Sequence, residues 1–315
     1  MSRALITGGA GFVGANLVRR LLGAGWEVHV LVRPGSDRWR LATIRTEVRV
    51  HAADIVDAEQ VYSVVARIAP THVFHLAAHG SYSWQIDSER ILATNMLGTL
   101  HLLDAGSRHG CEAFVNTGSS SEYGFKSHAP SEDELPKPNS DYGVAKAAAT
   151  MLARYRGQEA KMRISTLRLY SVYGPFEAPG RLLPTLALAA RGGRVPPLVD
   201  PTIARDFVYV DDVIDAYLVA SERAGGGEIY NVGTGIQTSL AELIEIAGDV
   251  FSFEPKPRWG TMPARSWDTT TWVADPAKIR RDLGWLPRTT LSDGLRALGE
   301  WFAAASADLR ARYGE

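Results

Sequence analysis

Thr7-Gly8-Gly9-Ala10-Gly11-Phe12-Val13-Gly14 is the stretch that decides the reading of this chain. It follows a short apolar run, Arg3–Thr7, and opens a helical pattern over Gly11–Leu22. Gly9, Gly11 and Gly14 satisfy the spacing G-x-G-x-x-G, and Gly8, Gly11 and Gly14 satisfy G-x-x-G-x-x-G. Glycine permits the tight turn, lets the backbone approach a pyrophosphate, and allows helix and strand to pack closely. The helix start beyond it, at Phe12 and Val13, offers free N–H groups and the positive end of a dipole. Strand, glycine loop and helix in that order indicate a dinucleotide site. A glycine-rich turn without a ligand is the plainer alternative.

Outward from that loop, short β-rich runs alternate with helical patterns. Val28–Val32, Val48–His51, Val73–Leu76, Phe114–Asn116 and Ile164–Leu169 read as strands. Ala58–Ile68, Glu89–Ser107 and Tyr142–Arg156 read as helices. The alternation predicts βαβ units, a parallel sheet and helices on both of its faces. The expected fold class is α/β, a doubly wound Rossmann sheet. After Tyr173-Gly174-Pro175 prolines become frequent and the alternation fades. A helix at Val213–Ser221 and a strand at Glu228–Val232 look like a return to the sheet. We expect a dinucleotide-binding domain over residues 1–174, with part of 207–232 returning to it. Residues 175–315 are expected to form a smaller, interleaved, mostly C-terminal substrate lobe.

The bulk numbers fit a globular enzyme. The chain has 315 residues, 45 % of them apolar and 22 % charged, with a net charge of −1. Nothing there favours nucleic acid or an anionic membrane as a partner. No stretch approaches a membrane span, and the apolar run after Met1 is too short for a signal-peptide core, so a cytoplasmic protein is expected. Cys111 is the one cysteine. It can form neither an internal disulfide nor a cysteine-based metal site, and it reads as a small buried hydrophobe.

The cofactor's identity turns on the end of the second strand. An Asp or Glu there would hold the adenosine ribose of NAD. This chain has Arg33 instead, followed by Pro34-Gly35-Ser36. A guanidinium suits a 2′-phosphate, so NADP(H) is favoured and Arg33 and Ser36 are placed beside it. NAD(H), with Arg33 stacked on adenine, stays open. Asp54 and Ile55, after the third strand, are placed to meet the adenine.

Tyr142 and Lys146 lie at i and i+4, on one face of a helix. A cation beside a phenol favours the tyrosinate, which would let Tyr142 act as acid or base below its free pKa of ~10. Upstream, Asn116-Thr117-Gly118-Ser119-Ser120-Ser121-Glu122-Tyr123-Gly124 falls at a strand's C-terminal end, where open α/β sheets bind ligands. A hydroxyl there, Ser119 first and Ser120 or Ser121 less so, can hold a substrate oxygen.

These residues join further motifs. The strand end His75-Leu76-Ala77-Ala78, the run Leu167-Arg168-Leu169-Tyr170-Ser171-Val172-Tyr173-Gly174-Pro175, and Arg205-Asp206-Phe207-Val208-Tyr209-Val210-Asp211-Asp212 complete a pattern. It resembles the extended short-chain dehydrogenase/reductases, and within them the nucleotide-sugar epimerases, dehydratases and reductases. The resemblance implies Ser119 and Tyr142 as catalytic hydroxyls and Lys146 as the partner of Tyr142. It implies Leu76, Ala77, Ala78, Asn95 and Thr117 as cofactor contacts, with Tyr170 and Val172 beside the nicotinamide. Ser171 stands where the family usually has a substrate-site Asn. Arg205 and Arg265 match arginines that hold a substrate diphosphate, and the segment from Arg181 belongs to substrate recognition. His79 could face the sugar or simply pack. Related proteins pair the two long helices across a two-fold axis, which implies a homodimer.

Departures from the pattern bear on the reaction. The dehydratases place their acidic residue one position earlier than Glu122, so dehydration is disfavoured. The serine loop is similar to that of the GDP-4-keto-6-deoxymannose reductases. With Arg33, this leads us to expect a reductase acting at C4 of a 4-keto nucleotide-diphosphate sugar. A 4-epimerase with tightly bound NAD is the alternative. A 4,6-dehydratase or a non-catalytic dinucleotide sensor ranks below both.

Overall fold

The computed structural model describes residues 2–159, 161–263 and 268–314. Eleven strands occur in it: β1 (Arg3–Thr7), β2 (Glu27–Val32), β3 (Arg49–Ala52), β4 (His72–His75), β5 (Ala113–Ser119), β6 (Arg163–Leu169), β7 (Ser171–Tyr173), β8 (Ala204–Arg205), β9 (Phe207–Tyr209), β10 (Glu228–Val232) and β11 (Thr238–Ser239). The α-helices are α1 (Phe12–Gly23), α2 (Ala58–Ile68), α3 (Ser88–Leu92), α4 (Gly98–Arg108), α5 (Asp141–Glu159), α6 (Leu182–Arg191), α7 (Val210–Arg223), α8 (Leu240–Phe251), α9 (Ala277–Leu283), α10 (Leu291–Ala304) and α11 (Ala307–Ala311).

Seven strands form one parallel sheet in the order β10-β6-β5-β4-β1-β2-β3. The order reverses between β1 and β4, and such a switch point opens a crevice at the carboxyl ends of the strands. Strand side chains alternate between faces. On β1, Ala4 and Ile6 join a core with α1 and α7, through Leu17, Val18, Val213 and Tyr217. Leu5 joins the opposite core with α2 and α4, through Val61, Val65 and Leu102. The near-continuous apolar runs of these strands are what burial on both faces requires. A third core, with Leu183, Leu186, Leu243, Ile244, Leu298 and Phe302, unites α6, α8 and α10. α7 and β10 do return to the sheet: β10 pairs with β6, from Glu228 opposite Ser165 to Val232 opposite Leu169.

Two elements differ from expectation in instructive ways. The helix expected at Glu89–Ser107 is α3, a π-helical turn over Ala93–Leu97, and α4. A wide turn inside a helix re-aims side chains, and this one contains Asn95. β5 runs three residues beyond the expected Asn116, because Thr117, Gly118 and Ser119 stay paired with Leu167, Arg168 and Leu169. No apolar alternation marks those three residues, so only the ladder reveals them. Cys111 is buried and its thiol bonds the Pro70 carbonyl at 3.1 Å. Burial pushes the thiol up to about 12, which makes it unreactive. Among the described residues no helix is long and apolar enough to cross a membrane.

Candidate active site

The glycine loop meets the end of β4 at the switch point. Gly8 has φ +69°, and a Cβ on it would fall 2.6 Å from the Ala77 nitrogen and the Leu76 carbonyl carbon. A Cβ on Gly14 would fall 2.3 Å from the Gly8 oxygen. No other residue fits either place. The Gly11 amide closes the turn onto the Gly8 carbonyl at 2.8 Å. Gly11 is also the N-cap of α1 and brings no side-chain cap. The amides of the first turn, at Phe12, Val13 and Gly14, therefore lack a side-chain acceptor, as a phosphate-binding helix start requires. The residues present fit a dinucleotide pyrophosphate.

Buried polar groups hold this crevice open. The Thr7 hydroxyl accepts the Ala77 amide at 3.2 Å and bonds His75 Nδ1 at 2.6 Å. His75 Nε2 meets the Thr99 hydroxyl at 3.0 Å. Burial first, and the Lys146 charge second, hold His75 down to about 3, so it stays neutral. The expected cofactor contact Asn95 has a different task. Its amide donates to the His79 and Ile91 carbonyls at 2.7 and 2.8 Å, and its oxygen accepts the His79 amide. With those groups spent on the backbone, Asn95 braces the segment carrying Leu76, Ala77 and Ala78.

Arg33 is exposed just past β2. Its charge acts on both Asp54 and His79, which places the three together beside the crevice. Asp54 pairs with Arg90 at 2.7 Å. Burial and the nearby cations Arg33 and Arg90 keep His79 below the usual imidazole range. The Ser36 amide closes a turn onto the Arg33 carbonyl. The Ile55 side chain packs against Gly98, so it offers the crevice its backbone alone.

Ser119 ends β5 and caps the short 3-10 turn that follows. Its Oγ accepts the Ser121 amide at 3.1 Å, and its own amide donates to Glu122 Oε1 at 2.8 Å. This box fixes the hydroxyl's position. Tyr142 stands in the first turn of α5, within reach of the Ser119 hydroxyl, and Lys146 follows one turn on. Lys146 is 2 % exposed, and burial lowers it to about 8. The expectation that Lys146 depresses the Tyr142 phenol does not hold. Burial pushes that phenol up to about 12, opposed by the Ser119 hydrogen bond and the Arg181 charge. Desolvation of a phenolate outweighs those contacts.

Three neighbours divide between ligand face and scaffold. The Thr117 hydroxyl bonds the Tyr217 phenol on α7, so this side chain is a brace. Ser120 and Tyr170 line a cleft with Tyr123, Lys126 and Trp272, and the buried Tyr170 hydroxyl has no partner among the described residues. Ser171 and Val172 lie half-buried on β7. Arg205 hydrogen-bonds Asp268 at 3.2 Å and faces Trp272. Arg181 reaches the Ser81 carbonyl and lies 4.8 Å over the Tyr82 ring. Arg265 lies outside the described residues.

Residues 4–233 match the family model described as NAD dependent epimerase/dehydratase family. The chain belongs to this family. The UDP-glucose 4-epimerase of Mycolicibacterium smegmatis is 33 % identical, over 95 % of this chain and 98 % of that relative. The dTDP-glucose 4,6-dehydratase of Streptomyces griseus is 31 % identical, over 95 % and 93 %. The structure of Thermus thermophilus UDP-glucose 4-epimerase complexed with NAD superposes with a TM-score of 0.84. It is 30 % identical and covers 96 % of this chain and 100 % of that one.

One part of this family member's site is not visible in its sequence. Glu122 is fully buried, and its charge reaches both Tyr142 and Lys146. It pairs with Arg168 at 2.8 Å and accepts the Thr150 hydroxyl at 3.0 Å besides the Ser119 amide. Arg168 in turn donates to the Tyr123 hydroxyl at 2.8 Å and to the Glu132 carbonyl at 3.2 Å. An arginine between Leu167 and Leu169 on a strand is a faint signal of such a pair, and its partner lies on another strand's end.

Proposed function

We propose that the protein is a nucleotide-sugar 4-epimerase that keeps NAD through its cycle. The observation that carries this is the set Ser119, Tyr142 and Lys146 at the crevice, with Glu122 locked into a buried ion pair. Tyr142 and Ser119 can manage the proton of one sugar hydroxyl. Glu122 is held in its ion pair with Arg168, so it is not free to take part in eliminating water from the neighbouring carbons. The similarity to two UDP-glucose 4-epimerases supports the reading.

The bound dinucleotide would supply a hydride acceptor at sugar C4 and return that hydride to the opposite face. The protein's own part is proton traffic and orientation. Tyr142 takes the C4 hydroxyl proton and later gives it back, while Ser119 hydrogen-bonds the same oxygen. A phenol held at about 12 needs a cation beside it before it can act as a base. The positive charge of an oxidised cofactor would meet that need, since Lys146 by itself leaves the phenol raised. Arg205 and Arg181 suit the substrate diphosphate.

Arg33 favours a second reading, the 4-keto-sugar reductase using NADP(H). One experiment separates them. The protein is denatured after purification and the released nucleotide identified, and intact protein is incubated with UDP-glucose. We expect released NAD and formation of the C4 epimer with no net change in reduced nicotinamide. A protein that arrives empty and consumes NADPH with a 4-keto sugar would establish the reductase instead.

The proposal extends to assembly. Leu92 and Leu97 beside α4, with Val144, Met151 and Tyr155 on α5, are exposed apolar side chains. They suit a two-fold four-helix packing between copies. Light scattering is expected to give about twice the 34.3 kDa chain mass; a monomer at micromolar concentration would refute the dimer.

A further inference from the structure

Pro175-Phe176-Glu177, just after β7, is a turn whose backbone the sheet does not hold. Phe176 has a φ of +67°, a strained conformation for an aromatic residue. The three carbonyls of this turn each accept a side chain from a different element. Asn16 on α1 donates to the Pro175 carbonyl at 2.9 Å, and Arg40, on the 3-10 turn Trp39–Ile44, donates to that of Phe176 at 2.7 Å. The Tyr313 hydroxyl, from the segment after α11, donates to that of Glu177 at 2.6 Å. Backbone strain persists only where its surroundings over-determine it, and it points to a task.

Rings and guanidiniums close the same junction. Phe176 meets Trp301 on α10 at 5.0 Å. Tyr313 stands edge-on to Phe302, Trp301 and Trp39 at 5.0, 5.9 and 6.2 Å. Arg19 on α1 lies 4.0 Å over the Phe176 ring and donates to the Arg40 carbonyl at 2.6 Å. Arg40 lies 4.3 Å over Trp39 and reaches the Ala10 carbonyl of the glycine loop at 3.4 Å. Arg312, next to Tyr313, pairs with Asp37 at 3.3 Å, and Asp37 directly follows Arg33-Pro34-Gly35-Ser36. The junction therefore joins two stretches that frame the adenosine end of a dinucleotide site. One is the glycine loop with the start of α1, and the other is the loop after β2. Tyr313 locks both from the far end of the chain.

We propose that Tyr313 is a positioning residue for the dinucleotide. By clamping the Phe176 turn against Trp39, it keeps the loop after β2 in place beside the glycine loop, so that adenosine and pyrophosphate meet a preformed surface. The inference rests on the reading that the crevice takes a nicotinamide dinucleotide. Tyr313 acts through Trp39, Arg40 and the Phe176 turn, not by touching the ligand. A loop ordered before the ligand arrives spares the entropy of ordering it on binding. The arginines suited to the substrate diphosphate are held by other contacts: Arg181 by Ser81 and Tyr82, and Arg205 by Asp268 and Trp272. Loss of the clamp therefore weakens binding of the dinucleotide and spares that of the nucleoside diphosphate.

The test measures the affinity of the purified full chain, stripped of nucleotide, for NAD, ADP and UDP, in wild type and in Tyr313→Ala. The variant is expected to bind NAD and ADP about tenfold more weakly, the cost of ordering a loop side chain or two on binding. Its affinity for UDP should equal that of the wild type. Tyr313→Phe keeps the ring and loses only the bond to the Glu177 carbonyl, so it should fall between the two. Wild-type affinity for NAD in Tyr313→Ala overturns the proposal and leaves the dinucleotide reading intact. An equal loss for NAD and UDP also overturns it, because that marks a general loosening of the fold. A loss for NAD without one for ADP overturns it too, since the effect then lies at the nicotinamide end. Failure of the wild type to bind NAD overturns the dinucleotide reading itself. Should Tyr313→Ala not fold, Tyr313→Phe combined with Arg312→Ala decides by the same comparison, because it removes only a hydrogen bond and an exposed ion pair.

Discussion

Tyr142→Phe is expected to lower turnover about 10²–10⁴-fold while leaving cofactor binding intact. The phenol is the group at the crevice that can exchange a proton with a sugar hydroxyl, and phenylalanine keeps its ring and packing. The glycine loop and Lys146 are untouched by the change, so nucleotide retention should persist. Two measurements check this: the initial epimerisation rate, and the nucleotide released on denaturation. A rate within a few-fold of wild type would remove Tyr142 from the chemistry. Loss of the nucleotide as well would instead make the phenol part of the binding site. Ser119→Ala should behave similarly but less severely. In the proposed mechanism its hydroxyl orients the oxygen and does not itself take the proton, and it opposes the upward shift of the phenol.

Arg168→Met is expected to cost about 3–5 kcal/mol of folding stability. The variant leaves Glu122 fully buried without its countercharge, and it also strips the Tyr123 hydroxyl of a donor. Urea unfolding monitored by circular dichroism reads the loss directly. Glu122→Gln combined with Arg168→Met removes both charges and should recover a large part of it, because neither partner then remains buried and unpaired. A single-variant loss under about 1 kcal/mol would show that water reaches the pair, and the network would then not be what fixes Ser119. The two residues bear on the proposed chemistry through the box, in which Glu122 holds the Ser119 amide.

The placement of the proposed catalytic pair was legible because its information is local. Tyr142 and Lys146 are one helical turn apart, and a helix places such residues on one face whatever surrounds it. The same holds for the glycine loop, where Gly8 and Gly14 each answer to a backbone approach that excludes a Cβ. Asn95 was less legible. The family resemblance suggested a ligand contact, but the π-helical turn that aims it at the His79 backbone has no signature in the surrounding Ala93-Thr94-Asn95-Met96-Leu97. Lys146 was placed correctly on its helix, yet its effect on the phenol could not be read from spacing. Burial depends on how α5 sits against the sheet, and burial sets both titrations.

By itself, then, the sequence determined a dinucleotide crevice on a parallel sheet, with Ser119 and Tyr142 at its edge. Glycine spacing, strand alternation and the helical period act over a few residues and need no partner. The tertiary structure decided where the buried charges go. Glu122 finds Arg168 across the β5–β6 ladder, and Glu177 finds itself between Arg40 and Arg181 from two separate elements. The fate of a buried charge depends on what surrounds it in space. For these residues the surroundings come from strand register and loop packing, which no local pattern encodes.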